Sequence, residues 1–256
     1  MKTTYITIGI AVWLSCSACA VVAGSENTKD DGTDPTRYST TAAIQYEHIN
    51  LKDGFNHNTL NLTYSFPLGE ARRYGMSIIL PVAKNDVLQN DHVNIGDAAI
   101  KINHVYTMTD DYAVVLAAET AFATAQRSEL GTGKNVIKLT GIYARFLQDG
   151  AILAPSILQS NSVSGADSRE NINTTVFDFY YVPKLSNPKN SLTIDPALNI
   201  DWVENTQYAS LAVTYGRELG LAYGGTNYIF IKPSVFSGHH RSGNWGLEFG
   251  YKIIGF

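Results

Sequence analysis

Hydrophobic and polar residues alternate along most of the chain after Ser39. The pattern is clearest in residues 192–202, where the even positions carry Leu, Ile, Pro, Leu, Ile and Trp and the odd positions carry Thr, Asp, Ala, Asn and Asp. A period of two places successive side chains on opposite faces of an extended backbone. The segment is therefore predicted to be a β-strand with one apolar and one polar face.

Eleven further segments carry the same alternation, and residues 40–49 are the weakest of the set. The twelve predicted strands are residues 40–49, 60–66, 74–80, 98–106, 114–122, 137–143, 151–162, 177–181, 192–202, 211–215, 229–235 and 244–256. Single-chain bacterial outer-membrane barrels contain an even number of such strands. The sequence predicts an all-β fold, a transmembrane antiparallel β-barrel of about 12 strands spanning residues 39–256.

The last predicted strand has an aromatic residue at its end. Trp245, Leu247, Phe249 and Tyr251 alternate with polar or small residues, and the chain finishes on Phe256. This ending resembles that of outer-membrane β-barrels, in which the C-terminal strand closes the barrel and its terminal Phe is part of the assembly signal. The resemblance implies that the barrel assembly machinery is a partner of this chain.

The connections and the aromatic residues indicate two ends of a barrel. Starting from a periplasmic N-terminus, shorter turns alternate with longer outside loops, and residues 203–207 are the exception because that outside loop is short. Aromatic residues gather near both ends of the strands: Phe66, Tyr74, Tyr106, Tyr112, Tyr143, Tyr181 and Phe256 beside the turns, and Trp202, Tyr208 and Trp245 beside the loops. Membrane barrels carry aromatic girdles at both interfaces.

The first 38 residues have a different character. Lys2 precedes an apolar run that is too short to span a bilayer as a helix, and small residues follow it. Residues 1–23 are predicted to be a signal peptide cleaved after Ala20 or Ala23. A lipoprotein signal is the alternative, since Cys16 and Cys19 lie near the end of the run. Residues 24–38 are polar and acidic, and we interpret them as a flexible leader or as a plug of the barrel mouth.

Composition narrows the choice of partners. The net charge of −4 and the absence of basic blocks argue against nucleic-acid binding. After residue 23 the chain has no run of about 18 apolar residues that would form a membrane-spanning helix. A barrel crosses the membrane with alternating strands instead, so we expect outer-membrane lipids around the chain and a location in the bacterial outer membrane.

The polar faces of the strands must point into the barrel because bilayer hydrocarbon offers no hydrogen-bond partner. The predicted lumen-lining residues are Lys101, Glu119, Lys138, Asp178, Tyr180, Asp195, Asp201, Tyr228, Phe230, Lys232, Glu248 and Lys252. Their charges have mixed signs, so no strong ion selectivity is expected. The charged groups either pair with one another and stiffen the barrel or line a narrow path. Inward aromatic and apolar groups, with Ile142 and Leu158 among them, suit a weakly polar solute or simply fill space.

Several short motifs resemble one family of outer-membrane proteins. They are Leu80-Pro81 at a strand end, Asn-Ile-Gly-Asp at 94–97, Leu-Gly-Thr-Gly at 130–133, Lys-Pro-Ser-Val at 232–235 and the segment 245–256. Together they resemble the transporter family associated with the meta-pathway of phenol degradation. The resemblance implies a barrel that passes small hydrophobic or aromatic compounds. Gly96-Asp97 is interpreted as a strand-opening bend rather than as a binding site.

A non-transport barrel, serving as an enzyme, an adhesion surface or a structural protein, is the alternative function. His240, Ser242 and Glu248 have the residue types found in lipid A deacylase barrels, but His240 and Ser242 share a strand face at best. His239 and His240 are adjacent, so their side chains point in opposite directions on a strand and do not form a metal site. We therefore predict a channel with no catalytic residues, metal site or cofactor.

Overall fold

The computed structural model describes residues 31–52, 54–86, 93–127 and 129–256, so the predicted signal peptide lies outside the described residues. The described chain forms antiparallel strands joined by turns and loops. Their bounds are β1 Thr41–Leu51, β2 Asn56–Leu68, β3 Tyr74–Asn85, β4 Asn94–Ile95, β5 Ala99–Met108, β6 Tyr112–Ala121, β7 Lys134–Phe146, β8 Ile152–Gly165, β9 Asn173–Val182, β10 Asn190–Asp201, β11 Thr206–Ala222, β12 Gly225–Ser237 and β13 Gly243–Ile254.

The strands close into a barrel. Strands that follow one another in the chain are neighbours, β1 pairs with both β2 and β13, and β3 pairs with β2 and β5. The two-residue strand β4 pairs only with β3, beyond the part of β3 that pairs with β5. Counted without β4, the wall has twelve strands. Closure gives every strand of the wall two hydrogen-bonded neighbours, so no strand edge of the wall would be left unpaired in a bilayer. The predicted antiparallel barrel of about 12 strands is confirmed.

Side chains alternate across the wall as the sequence predicts. On β10, Leu198 is 39% exposed on the outside, whereas its neighbour Asn199 is 5% exposed and faces the interior. The outer surface carries exposed apolar side chains on every strand of the wall, for example Ile44, Leu62, Ile78, Ile102, Leu116, Leu139, Ile157, Phe177, Leu211, Ile231 and Phe249. This outward apolar band matches the lipid-facing surface of a membrane barrel.

The two ends of the barrel differ in their connections. We call the end with residues 69–73, 109–111, 147–151, 183–189 and 223–224 the turn end, and the opposite end the loop end. The connection between β11 and β12 is a two-residue turn, Tyr223-Gly224, in which both residues have positive φ (54° and 81°). The sequence predicted a longer connection here, because residues 219–222 lack clear alternation although they pair with β12.

Tyr208 corrects one detail of the predicted aromatic girdles. It pairs with Asn199 across β10 and β11 and lines the interior. Trp202 and Trp245, by contrast, are exposed on the outside at the loop end, and Tyr74, Tyr106 and Tyr143 are exposed at the turn end. The two girdles are therefore present, but Tyr208 does not belong to them.

Candidate functional site

The barrel encloses a cavity of about 760 Å³. Its wall reaches from Glu204 and Arg241 at the loop end to Thr41 and Lys252 at the turn end. Threonine, serine, asparagine and charged side chains supply much of the lining, because the inward positions of the strands are the polar half of each alternating pattern. The lumen is the candidate functional site.

The structure places all of the predicted lumen-lining residues on the wall of this cavity. They are Lys101, Glu119, Lys138, Asp178, Tyr180, Asp195, Asp201, Tyr228, Phe230, Lys232, Glu248 and Lys252. Leu158 lines the cavity as well, whereas Ile142 lies in a buried apolar cluster at the turn end. Whether these residues act on a solute stays a prediction.

Acidic side chains dominate the arc of the wall formed by β9 to β13 and β1. Lys232 Nζ lies 3.3 Å from Glu248 Oε2, and Glu248 is paired in register with Glu47 on β1. Lys232 interacts electrostatically with Glu248, Glu47 and Asp195, and Asp178 lies beside Asp195. One lysine thus serves four carboxyl groups on this arc, which we call the acidic arc.

Glu47 is a lumen residue that the sequence analysis missed. It lies on β1, the weakest of the predicted strands, between the partly exposed side chains of Tyr46 and His48. The signal that identifies it is the register, because Lys232, Glu248 and Glu47 lie side by side on three neighbouring strands. That register becomes visible only when β13 closes onto β1.

Lysine is in excess on the facing arc, formed by β5, β6 and β7. Lys101 pairs in register with Glu119, and Glu119 pairs with Lys138. Lys138 Nζ donates a hydrogen bond of 2.9 Å to Glu119 Oε1, and Glu119 is 6% exposed. Two lysines and one glutamate therefore form the basic arc. The sequence predicted mixed signs, and the structure shows that most lumen carboxyl groups lie on the acidic arc, whereas the four predicted lumen lysines are divided equally between the two arcs.

Aromatic side chains form part of the wall on β12. The Phe230 ring covers Gly250 of β13 so closely that a Cβ at Gly250 would lie 2.5 Å from Phe230 Cε1. Tyr228 is 3% exposed, and Lys252 Nζ lies 5.5 Å from the centre of its ring, a cation–π distance. Glycine at position 250 is thus required for the inward ring of Phe230 to lie against the wall.

The chain preceding β1 enters the lumen at the turn end. Tyr180 on β9 donates a hydrogen bond of 2.6 Å from its hydroxyl to the backbone oxygen of Thr33. From β13, Lys252 Nζ donates one of 2.6 Å to the backbone oxygen of Asp31. The sequence left open whether this segment is a free leader or a plug, and residues 31–38, which we call the inserted segment, have the placement of a plug.

Tyr38 anchors the inserted segment in an apolar pocket on the inner wall. The side chain is 3% exposed and packs with Val105, Ala113, Val115, Ile142, Ala144 and Ala154. A Cβ at Gly75 would lie 2.7 Å from the Tyr38 ring, so the wall has a glycine where the ring approaches β3. The sequence left open whether Ile142 lines a solute path or fills space, and in the structure it fills space against Tyr38.

Two of the motifs that carry the family resemblance contact each other at the loop end. Asp97 accepts hydrogen bonds from the backbone N–H of Thr132 at 2.6 Å, from its hydroxyl at 2.9 Å and from the backbone N–H of Ala125 at 3.0 Å. Arg169 donates to the backbone oxygens of Gly131 and Thr132. Asp97 therefore anchors the loop before β7. The sequence interpreted Gly96-Asp97 only as a bend that opens a strand and did not predict this contact.

The residues considered for catalysis have other partners. Ser242 Oγ donates a hydrogen bond of 3.3 Å to the Tyr208 hydroxyl, and Glu248 is ion-paired with Lys232. Among the described residues, no group of three or more His, Cys, Asp or Glu side chains has the arrangement of a metal site. No helix in the described part of the chain is long and apolar enough to cross a membrane.

No family model and no curated protein matches the sequence. Solved structures do match: the COG4313 outer membrane channel from Pseudomonas putida F1 has a TM-score of 0.62 at 12% identity, covering 85% of this chain and 95% of that channel. The NanC porin has a TM-score of 0.58 at 8% identity, with 85% and 100% covered. The KdgM porin has a TM-score of 0.56 at 8% identity, with 83% and 98% covered. The chain has the fold of an outer-membrane β-barrel.

Proposed function

We propose that this chain is an outer-membrane channel for small solutes. The observation that carries the proposal is the cavity of about 760 Å³ inside a closed wall whose inner face is polar and whose outer face is apolar. Such a wall is arranged for water inside and lipid outside. The fold shared with outer-membrane channels and porins supports the same conclusion.

The proposed location follows from the same features. Outer-membrane lipids would surround the apolar band, and the barrel assembly machinery would recognise β13 and Phe256. The turn end would face the periplasm, in keeping with the short periplasmic turns of bacterial barrels. A signal peptide over residues 1–23 would direct the export that this location requires.

The solute class we propose is small molecules with an apolar or aromatic part, as the resemblance to the phenol meta-pathway family implies. Tyr180 and Phe230 supply ring surface on a wall that is otherwise largely polar, and the ring of Tyr228 lies behind Lys252 on the same wall. A solute ring packed on one of these residues gains about 1 kcal/mol beyond its area burial. This gain is enough to favour an aromatic solute over an aliphatic one of similar size.

Swelling of proteoliposomes tests the proposal. Purified protein is expected to make liposomes permeable to small sugars and amino acids, with faster entry of phenylalanine than of leucine at low concentration. The double variant Tyr228→Ala/Phe230→Ala should lose about a fivefold preference, which corresponds to about 1 kcal/mol. Thr214→Ala, another lining position, serves as the matched control and should keep the preference.

Absence of swelling with correctly folded wild type and with correctly folded Tyr38→Ala would contradict the channel. An altered acylation pattern of lipid A or phospholipid in a deletion strain would then support the lipid-modifying alternative. A channel that swells liposomes but shows equal rates for phenylalanine and leucine would retain the transport function and lose the aromatic solute class.

A further inference from the structure

The inserted segment is bonded to two polar groups of the lumen, and one of them, Tyr180, belongs to the ring residues proposed for the solute. Tyr180 and Lys252 each donate a hydrogen bond of 2.6 Å to a backbone oxygen of this segment. Resting on the proposed function, we propose that residues 31–38 are a plug that occupies a solute site, and that a solute carrying an acceptor oxygen beside an aromatic ring displaces it.

The fit between the segment and the wall is the first support. Thr36 and Tyr38 are 0% and 3% exposed, so the segment lies within the barrel rather than across its rim. An added Cβ at Gly32 would lie 2.7 Å from Lys252 Nζ, and one at Gly75 would lie 2.7 Å from the Tyr38 ring. The segment and the wall are thus complementary at both points.

The character of the inner wall is the second support. Inward positions of a membrane barrel are normally polar, yet β5 to β8 present Val105, Ala113, Val115, Ile142, Ala144 and Ala154 inward at the turn end. An apolar patch facing water is unfavourable, and burial of a tyrosine side chain against it is favourable. The wall is therefore built to hold a ring at this place.

The chemistry of the contacts defines the displacing solute. A lysine ammonium and a tyrosine hydroxyl are the donors, and the acceptors that they now bind are carbonyl oxygens of the chain itself. The ring of Tyr228 lies next to Lys252. A small aromatic carboxylate offers both an acceptor oxygen and a ring, so it competes with the segment for the donors Tyr180 and Lys252 and brings its ring next to Tyr228.

A disulfide between the segment and the wall tests the plug. A Cβ at Gly75 would lie 3.2 Å from the Tyr38 Cβ, close to the separation that a disulfide needs. In the variant Tyr38→Cys/Gly75→Cys, with Cys16 and Cys19 replaced by Ser, single-channel current should be low when oxidised and should rise severalfold on reduction. Tyr38→Ala should conduct severalfold more than wild type without any reductant.

Thiol labelling tests the displacement by a solute. The variant Thr36→Cys, again with Cys16 and Cys19 replaced by Ser, carries a thiol at a buried position. This thiol should react slowly with a maleimide, and benzoate should raise the labelling rate severalfold. Acetate has the acceptor without a ring, and benzylamine has a ring without the acceptor, so neither should raise the rate at the same concentration. Ser168→Cys, on an exposed loop, should react at one rate throughout. Lys252→Met should raise the rate of Thr36→Cys without benzoate.

The outcomes separate this proposal from the channel itself. Equal currents in wild type, in Tyr38→Ala and in the oxidised and reduced forms of Tyr38→Cys/Gly75→Cys would overturn the plug and leave the channel standing. The disulfide variant can also behave as expected while benzoate leaves the labelling rate of Thr36→Cys unchanged, or while benzoate, acetate and benzylamine all raise that rate equally. Either result would overturn the proposed competition and leave the plug standing. Folded protein that conducts in none of these forms would overturn the proposed function and the plug with it.

Discussion

Replacing Leu198 by arginine is expected to block or strongly impair barrel assembly. Leu198 lies on the outer face of β10, where the residue is 39% exposed. An arginine on the lipid face near the bilayer midplane costs about 2–4 kcal/mol. The measurement is the fraction of protein that reaches the heat-modifiable, folded form in outer-membrane preparations, compared with wild type.

Asn199→Arg is the matched control, because Asn199 is the adjacent residue and points into the lumen. Carboxyl groups such as that of Asp201 line the same face, so an arginine there is expected to be tolerated better. If both variants assemble equally well, Leu198 does not face lipid. The register of β10, and the orientation of the whole wall, would then be wrong.

Replacing Lys232 by methionine is expected to destabilise the folded barrel at neutral pH. The substitution removes the cation that lies 3.3 Å from Glu248 and interacts with Glu47 and Asp195. Removing one partner of a buried ion pair lowers the free energy of unfolding by about 3–5 kcal/mol. Because this pair borders the lumen, we expect a loss at the lower end of that range. The measurement is the free energy of unfolding in urea in detergent micelles.

Two controls identify the cause of this loss. The double variant Lys232→Met/Glu248→Gln removes one of the unpaired charges and should recover part of the stability. Acidification should also reduce the difference from wild type, because protonated carboxyl groups no longer need the lysine. A Lys232→Met barrel as stable as wild type at neutral pH would show that the acidic arc does not depend on this lysine.

The wall of the barrel is the part of the structure that the sequence predicts well. Alternation is a local property, so Leu198 and Asn199 can be assigned to opposite faces from their own strand alone. The same rule placed Lys232 and Glu248 inward, and the structure lines the lumen with both. Where alternation is weak, as in β1, the sequence did not identify Glu47 as a lumen residue. Its position follows only from its pairing with Glu248 in the closed barrel.

Contacts between distant parts of the chain could not be predicted in this way. Asp97 binds Thr132 across a sequence separation of 35 residues, and each motif alone gives no sign of the other. Tyr38 follows a polar acidic stretch, and only the fold shows that Gly75 and Ala144 leave room for its ring. The direction of Tyr208 likewise depends on its pairing with Asn199.

Single-channel recording of the purified barrel in a planar lipid bilayer is the most direct test of the central claim that the lumen is a solute path. Folded wild-type protein is predicted to give discrete current steps, and Tyr38→Ala is predicted to give larger ones. A flat current from both proteins, at amounts for which circular dichroism and heat-modifiable mobility show a folded barrel, would contradict the claim.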